Sequence, residues 1–413
     1  MTRSSIWRVR DFRLLWSAQV ASEVGTGMSQ LAYPLLMLAL TGSPAQAGAL
    51  AAVRALPYVL FGLVAGALAD RWNRKRLMIW SDAIRGLLML SIPAAIWLHR
   101  LTPAQLYITG FLGGVGYVLF SSAEVGALPN VVAKDELTAA VAAQQATSSA
   151  TSVAGPPMGG ALYGASAGLP FLADAVSYLI SVGVLRSIRS RFQAADRHRS
   201  IAALWRDMGD GLRWLWTHPV LRPVAFAAGG LQLAISGVGL VVIVSARDDH
   251  AASATIGLLL SGVGVGGVAG AAAARRIKDR FGFGATLIGL MWTQAVLWGL
   301  FAASRSLAIT GIILVAFAAT MTIFGVTTLS FRLAVTPDHL QGRIGTAFGL
   351  MIWIAVPLGS AAAGLLLAHF GPGTVSLWFA GWVSVVAIGC TSSSAFRNLE
   401  VAATQPSQTA PLR

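Results

Sequence analysis

The chain is short of charge. Only 11% of its 413 residues are Asp, Glu, Lys or Arg, against about 25% in soluble domains. Acids are the scarcer kind, 16 against 30 Lys and Arg, and cysteine occurs once, as Cys390. A single thiol excludes an internal disulfide and a cysteine-built metal centre. The histidines at 99, 198, 218, 250, 339 and 369 follow no metal-ligand spacing, so no metal or cofactor is expected. There is no Gly-x-x-x-x-Gly-Lys loop, so the chain is not its own ATPase. The polar connections are short, such as Thr41 to Pro44, His99 to Pro103, Gly168 to Pro170 and Ser304 to Ser306. They leave no room for an external domain, and a membrane-bound enzyme or a scaffold has little to work with.

What remains is apolar. The chain is 55% hydrophobic with a mean hydropathy of +0.69. A membrane span needs roughly 20 mainly apolar residues. Twelve such stretches are read at 14–40, 45–69, 77–98, 105–127, 139–166, 169–187, 221–246, 254–274, 284–303, 307–331, 343–369 and 374–396. The first is read as a span rather than a cleaved leader, because it is long and further spans follow it.

The net charge of +14 would suggest nucleic acid in a soluble protein, but its placement points to the bilayer. With the N-terminus assigned to the cytoplasm, 25 of the 30 Lys and Arg residues fall on that side. They lie in the N-terminal arm, in the run Arg71, Arg74, Lys75 and Arg76, in the central segment from Arg186 to Arg222, in Arg275 to Arg280, and at Lys134, Arg332, Arg343, Arg397 and Arg413. Arg100, Arg247 and Arg305 are the three on the other side, while Arg54 and Arg85 lie inside spans. Such a bias sets membrane orientation.

The organisation follows: an arm at 1–13, a six-helix bundle at 14–187, a cytoplasmic linker at 188–220, a second six-helix bundle at 221–396 and a tail at 397–413, expected to be disordered. Within the linker, Ile201, Leu204, Trp205, Met208, Leu212, Leu215 and Trp216 share one face at helical spacing, which predicts a helix lying in the headgroup layer. The halves read as parallel repeats. Val132 to Leu137 is echoed by Val335 to Leu340, and Asp70-Arg71 by Asp279-Arg280, at similar offsets.

The segment Gly66-Ala67-Leu68-Ala69-Asp70-Arg71-Trp72-Asn73-Arg74-Lys75-Arg76 resembles the loop signature of the major facilitator superfamily. The worn copy is Lys278-Asp279-Arg280-Phe281-Gly282. The resemblance implies twelve transmembrane helices in two pseudo-symmetric bundles, with both termini cytoplasmic and the substrate site where the halves meet. It also implies a cytoplasmic latch, in which Asp70 faces the start of span 11 near Gly345 and Thr346. Arg71 or Arg74 would reach Glu124 on span 4, and Asp279 and Arg280 form the second copy. The family's second glycine is replaced by Asn73, a residue that tolerates left-handed backbone. A purely topogenic role would explain the cations but not Asp70 or Gly66.

Gly155-Pro156-Pro157-Met158-Gly159-Gly160 on span 5 resembles the element carried by proton-coupled drug exporters of this superfamily. An ordinary packing kink is the alternative. Phe12-Arg13-Leu14-Leu15-Trp16 and Leu128-Pro129 are similar to the bacterial branch that holds macrolide-efflux and enterobactin-export proteins. That branch implies a multi-pass protein of the bacterial inner membrane, a drug:proton antiporter active as a monomer, with proton and small molecule as partners and no nucleic acid. A facilitator or importer of a small nutrient is the competing function.

Ionisable residues inside spans are rare and face a cavity or a partner. Those away from span ends lie in the first half: Glu23, Arg54, Asp82, Arg85, Glu124 and Asp174. Glu23 reads as the proton carrier, because Gln19 and Gln30 share its helix face. Its alternative is a structural acid paired with Arg54. Asp82 and Arg85 are spaced to neutralise each other, and Asp174 reads as capping or packing. Many exporters place an Arg deep in span 4, whereas this span carries Gly110, Gly113, Gly114 and Gly116. Tyr33, Tyr58, Gln145, Gln232 and Gln294 join Gln19 and Gln30 as candidate cavity residues for a bulky amphipathic solute.

Overall fold

The computed structural model describes residues 6–190, 192, 201–393, 396 and 399. The end of the linker's first part, 193–200, and nearly all of the expected tail lie outside the described residues. Among the described residues the fold is all-helical, and nine helices are long and apolar enough to cross a membrane.

The helices begin and end where local chemistry dictates. α1 (Arg10–Thr41) stops at Gly42, whose φ of 66° is the left-handed conformation glycine takes without strain. Ser43 and Pro44 then start α2 (Pro44–Arg71), with the Ser43 hydroxyl accepting from the Gln46 amide at 3.3 Å. Thr102 and Pro103 repeat the device for α4 (Pro103–Ala127). α3 (Arg74–Trp97) is capped by Asn73, whose side chain accepts from the Arg76 amide at 3.0 Å. Asn73 has a φ of −64°. The expected left-handed turn is therefore not formed, and Asn replaces Gly as a helix cap. α5 (Leu137–Ala165) stays helical through Pro156 and Pro157, and α6 (Leu169–Ser187) follows. α7 (Ile201–Thr217) is the helix expected in the linker.

Three expected spans differ from their reading. The stretch 221–246 breaks at Gly237 into α8 (Leu221–Ser236) and α9 (Val238–Asp248). The stretches 254–274 and 284–303 run together as α10 (Ser253–Ala303), interrupted at Gly282, where φ is 76°. The charged connection itself is helical, which polarity alone did not reveal. α11 (Leu307–Val335), α12 (Gln341–His369) and α13 (Pro372–Ser392) complete the order.

The chain divides into two compact units, Met1–Leu204 with His250–Ser261, and Trp205–Asp249 with Gly262–Arg413. In the first, α1 packs on α5 and α6, α3 on α4 and α6, and α2 on α4. Its basic end is closed by a cluster of Phe12, Leu15, Met78, Phe120, Leu128 and Phe192. In the second, α8 packs on α12 and α13, and Trp298 stacks on Phe379 at 4.9 Å. Outward residues such as Trp80, Leu87, Leu179, Ile312 and Val385 are large, apolar and exposed. Helices, with every internal backbone group paired, can present such surfaces to lipid.

Candidate functional site

In the first unit, α3 and α6 carry a buried ionic network. Asp82 is 0% exposed and Arg85 3%. One turn apart, they meet at 3.1 Å. The second Asp82 oxygen accepts from Ser181 Oγ at 2.6 Å. Arg85 also donates to Tyr178 Oη and, at 3.2 Å, to Thr26 Oγ1, and its guanidinium lies over the Tyr178 ring at 4.2 Å. Both Asp82 oxygens and both terminal nitrogens of Arg85 are engaged, which is what a low-dielectric site demands.

The other acids of this unit's spans have neutral company. Glu23 accepts from Gln19 Nε2 at 2.9 Å and from Ser148 Oγ at 3.0 Å, joining α1 to α5. Glu124 accepts from Gln144 Nε2 at 3.0 Å. Asp174 is 1% exposed; the Ser177 hydroxyl beside it donates to the Asp174 backbone carbonyl at 2.7 Å, and among the described residues the carboxyl Oδ2 has no hydrogen-bond partner. Among the described residues none of the three forms an ion pair. Arg54, the partner proposed for Glu23, instead lies 4.2 Å over the Tyr33 ring. The correction has a steric reason. Gly110 on α4 leaves space for the Arg54 stem and Gly116 for the Arg85 stem, while Gly114 admits the Arg54 carbonyl and the Pro57 ring. The span-4 glycines thus receive two arginines from α2 and α3 in place of one of their own.

The charged turn turns inward on its own unit. Asp70 accepts from Arg74 at 2.9 Å. Arg74 also donates to the carbonyls of Ala69, Gly126 and Phe192, and Lys75 to those of Arg186 and Ile188. Asn130 Nδ2 joins at the Phe192 carbonyl. These bonds fix the strap that follows α6, and Glu124 sits with Gln144. Asp11 holds the same strap from the other side, accepting from the amides of Arg189 and Ser190 and from the Ser190 hydroxyl. Burial pushes the Asp11 carboxyl up, but those hydrogen bonds and Arg10 outweigh it and hold it below the usual range. Its contribution is complete at neutral pH and is lost as pH falls through that lowered value. Asp11→Ala is expected to speed tryptic cleavage after Arg189 by about tenfold, the value of one charge-assisted hydrogen bond; unchanged cleavage would show the clasp to be idle. In the second copy, Asp279 is paired within its own turn, with Arg275 at 3.5 Å and Lys278 at 3.0 Å, and this local pairing lowers its pKa, the Lys278 hydrogen bond most.

The glycine-proline element is a close-packing surface. Side chains at Gly155 and Gly159 would strike the backbone of Gly27 and Met28 on α1. Gly160 abuts the Ser253 carbonyl at the start of α10, and Gly257 abuts that of Pro156. Of the cavity candidates, Gln30 and Gln145 are exposed and Gln19 is buried beside Glu23. Tyr33 is 1% exposed, wedged against Phe171, and Tyr58 pairs with Tyr117. Gln232 donates to Ser236 within α8. Gln294 departs from its expected place: it is 0% exposed and ties α10 to α11 through Phe317 O and Thr320 Oγ1. Sequence reading missed Ser148, Tyr178 and Ser181. The Thr147-Ser148-Ser149 run and the one-turn spacing of Tyr178 and Ser181 within apolar spans were the available signals. Among the described residues no cluster of His, Cys, Asp and Glu could hold a metal.

Comparison with known proteins gives the family and the fold. The multidrug efflux pump Tap of Mycolicibacterium fortuitum is 25% identical over 367 residues, 86% of this chain and 88% of its own. The enterobactin exporter EntS of Salmonella typhi is 25% identical over 365 residues, 87% and 86% of the two chains. The crystal structure of the nucleoside transporter NupG superposes with a TM-score of 0.74 at 13% identity, covering 92% of this chain and 98% of that one. A bacterial homologue of the lysosomal transporter Spinster, inward-facing and unoccupied, gives 0.71 at 12% identity over all of both chains. The family model described as transmembrane secretion effector matches residues 3–412, and the chain belongs to that family of major facilitator membrane transporters.

Proposed function

We propose that this transporter is a proton-driven exporter of amphipathic small molecules, drug-like or siderophore-like, acting as a monomer in the bacterial inner membrane. The reading places twelve spans in two six-helix halves with both termini cytoplasmic. The observation that carries proton coupling is the company of Glu23, Glu124 and Asp174. Each is a carboxyl within an apolar helix with no cation paired to it among the described residues; Glu23 and Glu124 are held by neutral donors, and one Asp174 oxygen is buried with no hydrogen-bond partner. An ionised carboxylate there costs roughly 2.5–3.5 kcal/mol, a cost that taking up a proton removes. Asp82, with Arg85 beside it, needs no proton. Glu23 is the principal carrier, because its ligands come from α1 and α5 and a shift between those helices changes its hydration. The names of Tap, a multidrug efflux pump, and EntS, an enterobactin exporter, support export of a drug-like or siderophore-like cargo. The Asp70 turn serves as the cytoplasmic latch: Arg74 and Lys75 brace it on its own half, and Asp70 meets the start of span 11 when that side closes.

The test is accumulation in an efflux-deficient bacterium, with and without a proton uncoupler. Cells carrying the protein should hold less of an amphipathic dye or drug, and uncoupler should erase the difference. Glu23→Gln keeps the hydrogen-bonding shape and cannot carry the proton. It should reach the membrane at normal abundance and lose the uncoupler-sensitive component. Efflux that stays uncoupler-sensitive in that variant would remove Glu23 from the mechanism, and faster nutrient uptake without drug protection would overturn export.

A further inference from the structure

The second unit contains an open apolar cavity of about 720 Å³ that the transport reading does not use. Its walls are α8 from Pro223 to Leu233, α12 from Met351 to Leu358, and α13 with the residues just beyond it to Phe396. The ten rises from Pro223 to Leu233 along α8 make the groove about 15 Å long, at ~1.5 Å per residue. Missing side chains create it: Gly229, Gly230 and Gly389 line the wall. Trp382 crosses it and donates through Nε1 to the Gly230 carbonyl at 2.8 Å, so that polar atom is already satisfied. Phe226, Leu358 and Trp382 are 50%, 56% and 43% exposed, so the groove opens sideways.

Polarity is confined to one end. Arg222, exposed, immediately precedes Pro223 at the groove mouth, and one of its nitrogens reaches the Trp216 carbonyl at 3.4 Å. Trp216 is half exposed and packs edge-on against Phe226 at 5.4 Å. A tryptophan at the end of an interfacial helix marks the headgroup layer. The cation therefore stands at headgroup depth and the groove descends from it into hydrocarbon. Sites for drug-sized solutes bring several polar groups together inside the cavity, whereas here the inner walls are carbon and the charge waits at the mouth.

We propose that this groove is a specific site for an anionic glycerophospholipid, with one acyl chain along α8 and the headgroup phosphate at Arg222. The lipid comes from the cytoplasmic leaflet, a clause that rests on the orientation adopted above. Bound there, it seals the seam between α8, α12 and α13 and tethers the linker helix through Trp216 and Phe226.

The full-length protein, purified in detergent and stripped of lipid, is given phosphatidylglycerol or phosphatidylcholine with identical acyl chains, and retained lipid is counted by native mass spectrometry. The wild-type protein should retain one phosphatidylglycerol under conditions that strip phosphatidylcholine. Nothing lies within 4 Å of a Cβ added at Gly389, so the Gly389→Leu side chain starts from open space at the groove wall. It should lower retention of both lipids about tenfold, the loss expected when two or so methylenes are no longer buried, with Gly389→Ala between. Arg222→Gln should abolish the preference, with phosphatidylglycerol retention falling to that of phosphatidylcholine and phosphatidylcholine retention unchanged. Wild-type retention in Gly389→Leu, or a surviving preference in Arg222→Gln, overturns the site. So does a Gly389→Leu protein that keeps its lipid and loses efflux, because the groove would then serve the cargo. Retention is read without transport, so failure here leaves the exporter reading intact, and failure of Glu23→Gln leaves the lipid site intact.

Discussion

Arg85→Met is expected to destabilise the protein more than any other single side-chain truncation in its membrane-spanning core. The cation that faces Asp82 is removed, while Asp82 remains at 0% exposure. Breaking one side of a buried pair costs roughly 3–5 kcal/mol, because the partner charge is left uncompensated. Tyr178 and Thr26 lose the same donor. The measurement is thermal unfolding of the purified protein, together with the yield of monodisperse material. Arg85→Lys should rescue little, since one ammonium cannot reproduce a planar fork that reaches Asp82, Tyr178 and Thr26 at once. Removing the other partner as well gives the sharper result. Asp82→Asn combined with Arg85→Met should be more stable than Arg85→Met alone, because the orphaned charge has gone. If the single variant unfolds like the wild type, or the double variant is the worse of the two, the network is not what holds α3 to α6.

That network also shows how much could be read in advance. The Asp82–Arg85 pair is local, one turn on one helix, so spacing alone announced it. Tyr178 and Ser181 lie on α6, and their share depends on which face of α6 meets α3. Asp174, Ser177, Tyr178 and Ser181 do fall on one face of α6 at helical spacing, but that periodicity does not say which neighbouring helix the face meets. The same gap explains Glu23, for which a cation was the plausible partner and Ser148 on α5 is the actual one. It explains Gln294 as well: its amide fits a cavity wall and a buried helix tie equally well, and only packing separates them.

The span-4 glycines were visible as points of close approach, but nothing local says that arginine stems from α2 and α3 approach them. In the Asp70 turn the residue types were legible and their partners were not. Arg74 and Lys75 bond to backbone carbonyls of the strap, and a carbonyl has no signature in sequence. The helical run through the second copy was hidden for a related reason. Charge suggested a loop, while only Gly282 leaves helical geometry. The family, by contrast, was legible, because it rests on short motifs and on the charge bias, which need no packing.

The glycine-proline element yields the second large effect, and it is steric. A Cβ built at Gly159 falls inside the van der Waals envelope of the Met28 backbone, and one at Gly155 would lie 2.8 Å from the Gly27 Cα. Backbone cannot turn aside as a side chain can, so α1 or α5 must move as a body in an interior packed at crystal density. Overpacking of this kind costs about 1–3 kcal/mol or more. It acts on the seam between α1 and α5 that holds Glu23 to Ser148. Gly159→Leu should therefore abolish efflux, and Gly159→Ala, one methyl larger than glycine, should already impair it. Gly164→Leu is the control on the same helix, because a Cβ there meets nothing within 4 Å, and it should transport normally. Accumulation assays at matched membrane abundance separate lost transport from lost protein. Wild-type efflux from Gly159→Leu would mean that α1 and α5 can part without consequence, and the seam would have no place in the mechanism. An equal loss in Gly164→Leu would mean that the helix tolerates no bulk anywhere, and the close approach at Met28 would have no special standing.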